Sequence, residues 1–436
     1  MNRTFLKLLY QELPGLVEKG ILPQETADKI RQFYGQVKNP GRMNVGLVIF
    51  GTIGAFLIGL GIILLFAHNW DQLSRLSRAV LSLSPLIIGQ VLVLWVLLKR
   101  PQSSALKEGT ATFLSLMVGA AIALISQTYN IHGDAGTFIL TWMLLIFPLV
   151  YIMQASLPAV IYLIGITAWA GNHWDNPAKA VIFWPLAAVI VPHLIWALRQ
   201  EIYALRATIV SLVMAVCVLF AASFSLGRNW PGLWVVIFPS IFAVIYFTGN
   251  WKFNRITANW QKPLRFLGAA GLFILAFQFT FKYCWQYLGG YSYGINRDIS
   301  FIGLLPDYII TLAIIGTAVL LFYDNLKRKN NLVALFGAVP LLAIVAYFLN
   351  MKSTFLPLLI FNLYIFVLSL SRIVAGFRRN NQAFLNTGML MLSMLIIARF
   401  FDSDISFIIK GLVFIIVGIG FLITNLVYTR RLGGVK

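Results

Sequence analysis

The stretch that decides the fold is 109–153, GTATFLSLMVGAAIALISQTYNIHGDAGTFILTWMLLIFPLVYIM. Two apolar runs, 109–127 and 136–153, flank a short polar tip, in which Asp134 and His132 are the ionisable acid and base. A run of about 20 mostly apolar residues is the length that crosses a hydrocarbon core as a helix. Two such runs with few residues between them make a helical hairpin, because no other open backbone arrangement satisfies its polar groups in lipid.

Composition extends this reading to the whole chain. Of 436 residues, 59% are hydrophobic and 11% charged, and the mean hydropathy is +0.83. A soluble domain is about 45–50% apolar and about 25% charged. So much apolar surface needs lipid as its solvent. The same figures exclude a disordered chain, and two cysteines, Cys217 and Cys284, do not make a disulfide scaffold. The expected fold is an all-α polytopic transmembrane bundle of about 14 spans, with a range of 12–14. They fall at 43–67, 79–98, 109–127, 136–153, 156–171, 178–198, 204–226, 232–248, 264–281, 305–323, 331–348, 353–371, 382–400 and 404–425. Only Gln154-Ala155-Ser156 and Pro158 separate the fourth from the fifth.

Charge sets the orientation. The first run follows Lys38 and Arg42 and lacks the placement of a cleavable secretory signal. With the N-terminus inside and 14 spans, 25 of the 34 Lys and Arg fall on inner segments, 8 on outer ones, and Lys410 inside a span. Cytoplasmic loops are the basic ones. A miscounted span would invert every later loop, and the bias persists to the end, so both termini are expected in the cytoplasm of a bacterial inner membrane. The net charge of +20 is thus topological. Its dispersal among loops argues against nucleic acid as a partner, and membrane lipids are the expected surroundings.

Residues 1–42 form a separate element before the membrane domain 43–425 and the basic tail 426–436. Phe5, Leu8, Leu9, Leu13, Leu16 and Val17 recur at near-helical spacing, and Pro14 should kink that helix. Gly20 can end it, and Pro23 can open a second helix carrying Ala27, Ile30, Phe33 and Tyr34. Such a helical pair either docks a cytoplasmic protein partner or lies against the inner membrane surface.

The candidate site lies on the first three outer tips. They read His68-Asn69-Trp70-Asp71, Gln127-Thr128-Tyr129-Asn130-Ile131-His132-Gly133-Asp134, and Asn172-His173-Trp174-Asp175. Three of the four histidines thus sit at one expected depth, each near an aspartate. Imidazole with carboxylate can bind a divalent metal, relay protons or hold a polar headgroup. Against that, Asn and Asp are preferred helix caps, and Trp and Tyr favour the membrane interface. No zinc-type spacing accompanies the tips, so neither a metal nor any other cofactor is specified.

Other polar groups carry weaker signals. Asn362, Gln278 and Gln90 suit bonds between helices. His193, after Pro192, suits a partner at a helix break. Lys410 sits where its stem can snorkel outward. The outer loop 282–304, with Tyr283, Trp285, Tyr287, Tyr291 and Tyr293, suits either sugar stacking or an interfacial belt. Gly119 with Ala123, and Gly268-Ala269-Ala270-Gly271, permit close helix approach. No phosphate loop or CxxC occurs.

Three elements together carry a resemblance: Leu16…Gly20-Ile21-Leu22…Ala27…Ile30, the Gly-rich run ending Ala67-His68-Asn69-Trp70-Asp71, and Gln127-Thr128-Tyr129-Asn130 with Gly133-Asp134. Over about the first 150 residues the chain resembles the bacterial multi-pass membrane proteins grouped as domain of unknown function 2157. The resemblance implies an inner-membrane protein and assigns no catalytic or binding residue. Three function classes remain: a transporter or flippase of a small polar or lipid-linked substrate; an envelope enzyme on lipid-linked sugars using Asp71, Asp134 and Asp175; or a structural, assembly or sensing protein.

Overall fold

Proline accompanies the breaks in two of the expected spans, while Pro85, Pro148, Pro239 and Pro306 sit inside continuous helices, and neighbouring side chains decide whether a break is tolerable. The computed structural model describes residues 13–18, 20–34, 73–200, 205–227, 232–250, 261–286, 288 and 301–402, with isolated positions between 412 and 423. All regular structure among the described residues is helical. The expected spans 43–67 and, for the most part, 404–425 lie outside them, as do Asp404, Lys410, the tail 426–436, and Tyr287, Tyr291 and Tyr293.

The chain divides into Met1–Arg78 and Ala79–Lys436. In the first unit, residues 13–18 are helical and α1 runs Gln24–Tyr34. Gly20 separates them in the left-handed region at φ +69°, a conformation glycine adopts without penalty. Leu13 and Ala27 are buried, and Lys29 pairs with Glu25 at 2.7 Å on the exposed side.

The second unit begins within α2 (Arg75–Lys99) and continues with α3 (Ser104–Tyr129), α4 (Ala135–Ile152) and α5 (Ser156–Asn172). Three short helices follow: α6 (Pro177–Ala180), α7 (Phe183–Ala188) and α8 (Val191–Gln200). Then come α9 (Leu205–Ser225), α10 (Trp234–Asn250), α11 (Gln261–Gln278) and α12 (Lys282–Gln286). The last are α13 (Phe301–Lys327), α14 (Asn331–Phe336), α15 (Val339–Asn350), α16 (Phe355–Arg378) and α17 (Gln382–Asp402). Nine stretches among the described residues are long and apolar enough to cross a membrane, and Ser156–Asn172, Trp234–Asn250 and Pro263–Gln278 are shorter apolar helices. They occupy the twelve expected spans from 79–98 to 382–400.

Four cores form among the described residues, two of them large. One gathers Met143, Ile146, Tyr162, Ile166, Phe183 and Cys217 from α4, α5, α7 and α9. The second gathers Tyr246, Phe247, Phe279, Trp285, Phe361 and Tyr364 from α10, the turn after α11, α12 and α16. The α10–α11 hairpin closes backbone to backbone: a methyl group on Gly268 would meet the Tyr246 nitrogen at 2.5 Å. The small-residue run 268–271 therefore sets this approach. Trp285 is 1% exposed and donates its indole N–H to the Phe279 carbonyl at 2.8 Å. The structure thus removes it from the expected surface belt, because its ring fills the second core and its one donor is used there.

Two expected spans are discontinuous. The stretch 177–200 carries Pro185 and Pro192 and runs as α6, α7 and α8. The stretch 331–350 carries Pro340 and runs as α14 and α15. Proline has no N–H and frees a carbonyl one turn back, and a freed carbonyl in an apolar core is costly. Tyrosine hydroxyls bond carbonyls at both interruptions, and at 331–350 one of these is the carbonyl that the proline frees. The Tyr364 hydroxyl lies 3.0 Å from both the Leu335 and Phe336 carbonyls, and Phe336 is the residue four before Pro340. Tyr162 donates to the Leu186 carbonyl at 3.2 Å, and Tyr151 to that of Val189.

Tyr364→Phe keeps the ring and deletes the donor. It should cost about 1–3 kcal/mol, the penalty of a buried acceptor left unpaired. Denaturant unfolding in mixed micelles measures this, and a loss below about 0.5 kcal/mol, the low end for a made hydrogen bond, would show that the carbonyls do not depend on Tyr364.

Candidate functional site

The outer tips can be followed residue by residue. The first, His68, Asn69, Trp70 and Asp71, lies outside the described residues. In the second, Gln127 and Tyr129 are exposed on the last turn of α3. Asn130 ends that helix in the left-handed region at φ 52°, its N–H bonded to the Ser126 carbonyl. Asn tolerates this region better than other side chains. His132 is exposed. Asp134 is the N-cap of α4: its carboxylate accepts from the Thr137 N–H and from the Thr137 hydroxyl, each at 2.7 Å. These two bonds hold the Asp134 carboxyl below its ordinary value.

In the third tip, Asn172 ends α5 and His173 follows as its C-cap. The His173 ring lies 4.8 Å from that of Trp169, and its Nδ1 is 2.9 Å from the Trp169 carbonyl. Trp174 is 60% exposed, and Asp175 is exposed beside it. Asn176, not singled out from sequence, caps α6 through the Lys179 N–H.

The second and third tips meet at Gly136, which is buried. A methyl group there would stand 2.8 Å from His173 Cε1, 2.9 Å from Asp134 Oδ1 and 3.0 Å from Asn172 Nδ2. Three of the candidate side chains therefore ring one glycine. Gln127, Tyr129, His132 and Asp175 have no such convergence. Among the described residues, no group of three His, Cys, Asp or Glu is placed to hold a metal. The arrangement can present a carboxylate, an amide and an imidazole to a polar group at the surface, with the carboxylate already engaged by Thr137.

Two buried acids escaped the sequence reading. Glu108, on α3, reaches the start of α5, where no side chain of α5's own caps the helix. Its carboxylate accepts from the Ser156 N–H at 2.8 Å and 3.0 Å and from the Leu157 N–H at 3.0 Å. The next residue, Pro158, has no N–H to satisfy. The first orphan donors of α5 are thus supplied from a neighbouring helix by a charge that also suits the positive end of the helix dipole. Arg206 stands 3.4 Å from the same carboxylate. Asp307, on α13, accepts from the Gly227 N–H at 3.1 Å with each oxygen and from the Thr311 hydroxyl at 3.2 Å. Gly227 follows α9 at φ +67°. A signal existed for Asp307: an acid placed just inside an apolar span requires a buried partner.

His193 is 2% exposed, between the rings of Tyr151 at 6.2 Å and Trp196 at 5.6 Å. Its Nε2 makes no hydrogen bond, so the expectation of a partner at the helix break fails there: tyrosine hydroxyls take that role. Asn362 does bond between helices, donating to the Leu358 carbonyl at 2.8 Å and the Thr280 carbonyl at 3.4 Å.

Comparison with known proteins agrees with the resemblance drawn from the motifs. Residues 14–159 match the family model described as predicted membrane protein (DUF2157). The match ends within α5. No curated protein and no solved structure matches the chain. The chain is thus similar, over its first part, to multi-pass membrane proteins of unknown function.

Two predictions follow from these acids. Replacing Glu108 with alanine strands the Ser156 and Leu157 donors and should cost about 1–3 kcal/mol of stability in micelles. Glu108→Gln should recover part of it, and an alanine variant as stable as the parent would show that α5 needs no external cap. The Asp134 cap has a depressed carboxyl, so its contribution is complete above pH 3.8 and is lost as pH falls below that value. The melting-temperature gap between the parent and Asp134→Ala should therefore be flat at neutral pH and close in acid. A gap that widens in acid would contradict the cap.

Proposed function

We propose that this protein is a fourteen-span protein of the bacterial inner membrane, both termini cytoplasmic, that moves a small polar or lipid-linked substrate across the bilayer. The observation that carries the proposal is the pair of proline-interrupted spans, 177–200 and 331–350. Discontinuous helices are the sequence-level mark of a substrate path in transporters, because non-helical backbone persists at membrane depth only inside protein or beside a water-filled cavity. In the fourteen-span topology the two run in opposite directions.

The envelope-enzyme reading draws less support. Of its outer carboxylates, Asp134 is spent on Thr137, and Asp175 has no converging partner among the candidate residues. A cytoplasmic protein partner at residues 1–42 draws some support from Ile21 and Phe33, large apolar side chains exposed on that element.

Cysteine labelling tests the path. In a full-length variant with Cys217 and Cys284 replaced by alanine, Ala338→Cys and Val189→Cys should react with a membrane-impermeant maleimide. Labelling of Ala338→Cys in both inside-out and right-side-out vesicles supports alternating access. Cysteines at both breaks that react from neither side overturn it.

A further inference from the structure

Five cations face one groove bordered by α10, α11, α14, α16 and α17. It holds about 1160 Å³, and its basic wall is Arg265, Lys329, Arg372, Arg378 and Arg379. No aspartate or glutamate lines it among the described residues. The acid closest along the chain to Lys329, Asp324, is bound by Arg328 at 2.8 Å and lines an adjoining, smaller cavity of about 230 Å³ that shares Asn250 and Asn330 with the groove.

Arg372 is the most constrained of the five. It sits inside α16 rather than at its end and is half-buried. Its Nε donates to the Thr387 hydroxyl at 3.2 Å, and its guanidinium carbon lies 5.4 Å from the Phe336 ring centre and 5.0 Å from that of Phe384. Arg379 lies 5.6 Å from the same Phe384 ring. Two aromatic faces and one hydroxyl thus fix the cation without neutralising it. Arg265 and Arg372 repel one another. Basic residues at helix ends follow from topology alone. A half-buried arginine gathered with four other cations and no counter-ion does not, since such a set is stable chiefly when an anion joins it.

The remaining wall is apolar. Phe266 is 77% exposed, and Val367, Leu370 and Val374 are exposed along α16. Basic pockets between membrane helices, with apolar surface beside them, match the headgroup and tail of an anionic lipid. Arginine suits a phosphate in particular, because its planar fork can donate two parallel hydrogen bonds.

We propose that this groove binds the phosphate-bearing headgroup of an anionic amphiphile, with Arg372 as the central ligand and the tail along the Phe266–Val374 wall. The proposal goes beyond the transport reading and stands apart from it: a groove that holds its lipid in a protein that moves nothing would remove only that reading.

The test titrates the purified, delipidated full chain in non-ionic detergent with phosphatidylglycerol, phosphatidylcholine and inorganic phosphate, reading the thermal unfolding midpoint. Phosphatidylglycerol should stabilise saturably, and the other two should not. Arg372→Gln should weaken the apparent affinity about fivefold, the value of one cation near an anionic headgroup. Arg378→Gln and Arg379→Gln, at exposed positions, should each weaken it in the same direction and carry the test if the Arg372 variant does not fold. Lys352→Gln, at the other end of α16, should leave the affinity unchanged. Equal stabilisation by phosphatidylcholine, an equal effect of inorganic phosphate, or an equal loss in Lys352→Gln would each overturn the proposal.

Discussion

An unpaired backbone carbonyl inside an apolar core is the constraint on which this structure depends. Making such a hydrogen bond nets about 0.5–1.5 kcal/mol, whereas leaving the buried group unmade costs about 1–3 kcal/mol. The asymmetry explains why each proline-interrupted span lies beside a tyrosine. Tyr162 and Tyr151 serve 177–200, and Tyr364 serves 331–350. The same logic recurs with tryptophan: Trp285 donates to the Phe279 carbonyl and Trp142 to that of Ser115, at 2.7 Å. Large aromatics fill the core, and their single polar atoms repair its backbone.

The few acids are deployed by the same rule. The chain has 14 Asp and Glu against 34 Lys and Arg, so charge neutralisation is out of reach. Glu108 and Asp307 are instead placed on backbone N–H groups at helix ends, where a carboxylate satisfies several donors at once. Asp134 does so at the surface. The five cations of the basic groove have no lining carboxylate among the described residues, and the rings of Phe336 and Phe384 hold Arg372 there instead.

Much of the architecture was legible in the residues. Hydropathy located the spans that the described helices occupy, Gly268 sets the tight hairpin it was expected to permit, and Asn130 and Asp134 are caps, one of the two roles their types allow. The breaks were not legible, because an apolar window averages over Pro185, Pro192 and Pro340. Nor were the repairs, since Tyr364 lies 28 residues from Phe336 and Tyr162 lies 24 from Leu186. Trp285 reads as interfacial because sequence shows an aromatic near a span end without showing that the chain folds back over it. Glu108 was hidden beside Lys107, where a charge pair looks like an ordinary loop. The convergence of Asp134, Asn172 and His173 on Gly136 is tertiary, and spacing along the chain cannot supply it.

The two broken spans solve one problem in two ways. Around 177–200 each carbonyl named above has its own hydroxyl, Tyr162 for Leu186 and Tyr151 for Val189. At 331–350 one hydroxyl faces two carbonyls at equal distance, and a hydroxyl has a single proton to give. The Leu335 carbonyl also accepts from the Ala338 N–H at 3.3 Å, which leaves the hydroxyl for Phe336. Irregular backbone at membrane depth is tolerated either inside protein or beside water, and α14 supplies Leu332 and Val333 to the wall of the basic groove. The break at 331–350 thus borders the open groove. Phe336 joins the two, with its carbonyl on Tyr364 and its ring beneath Arg372.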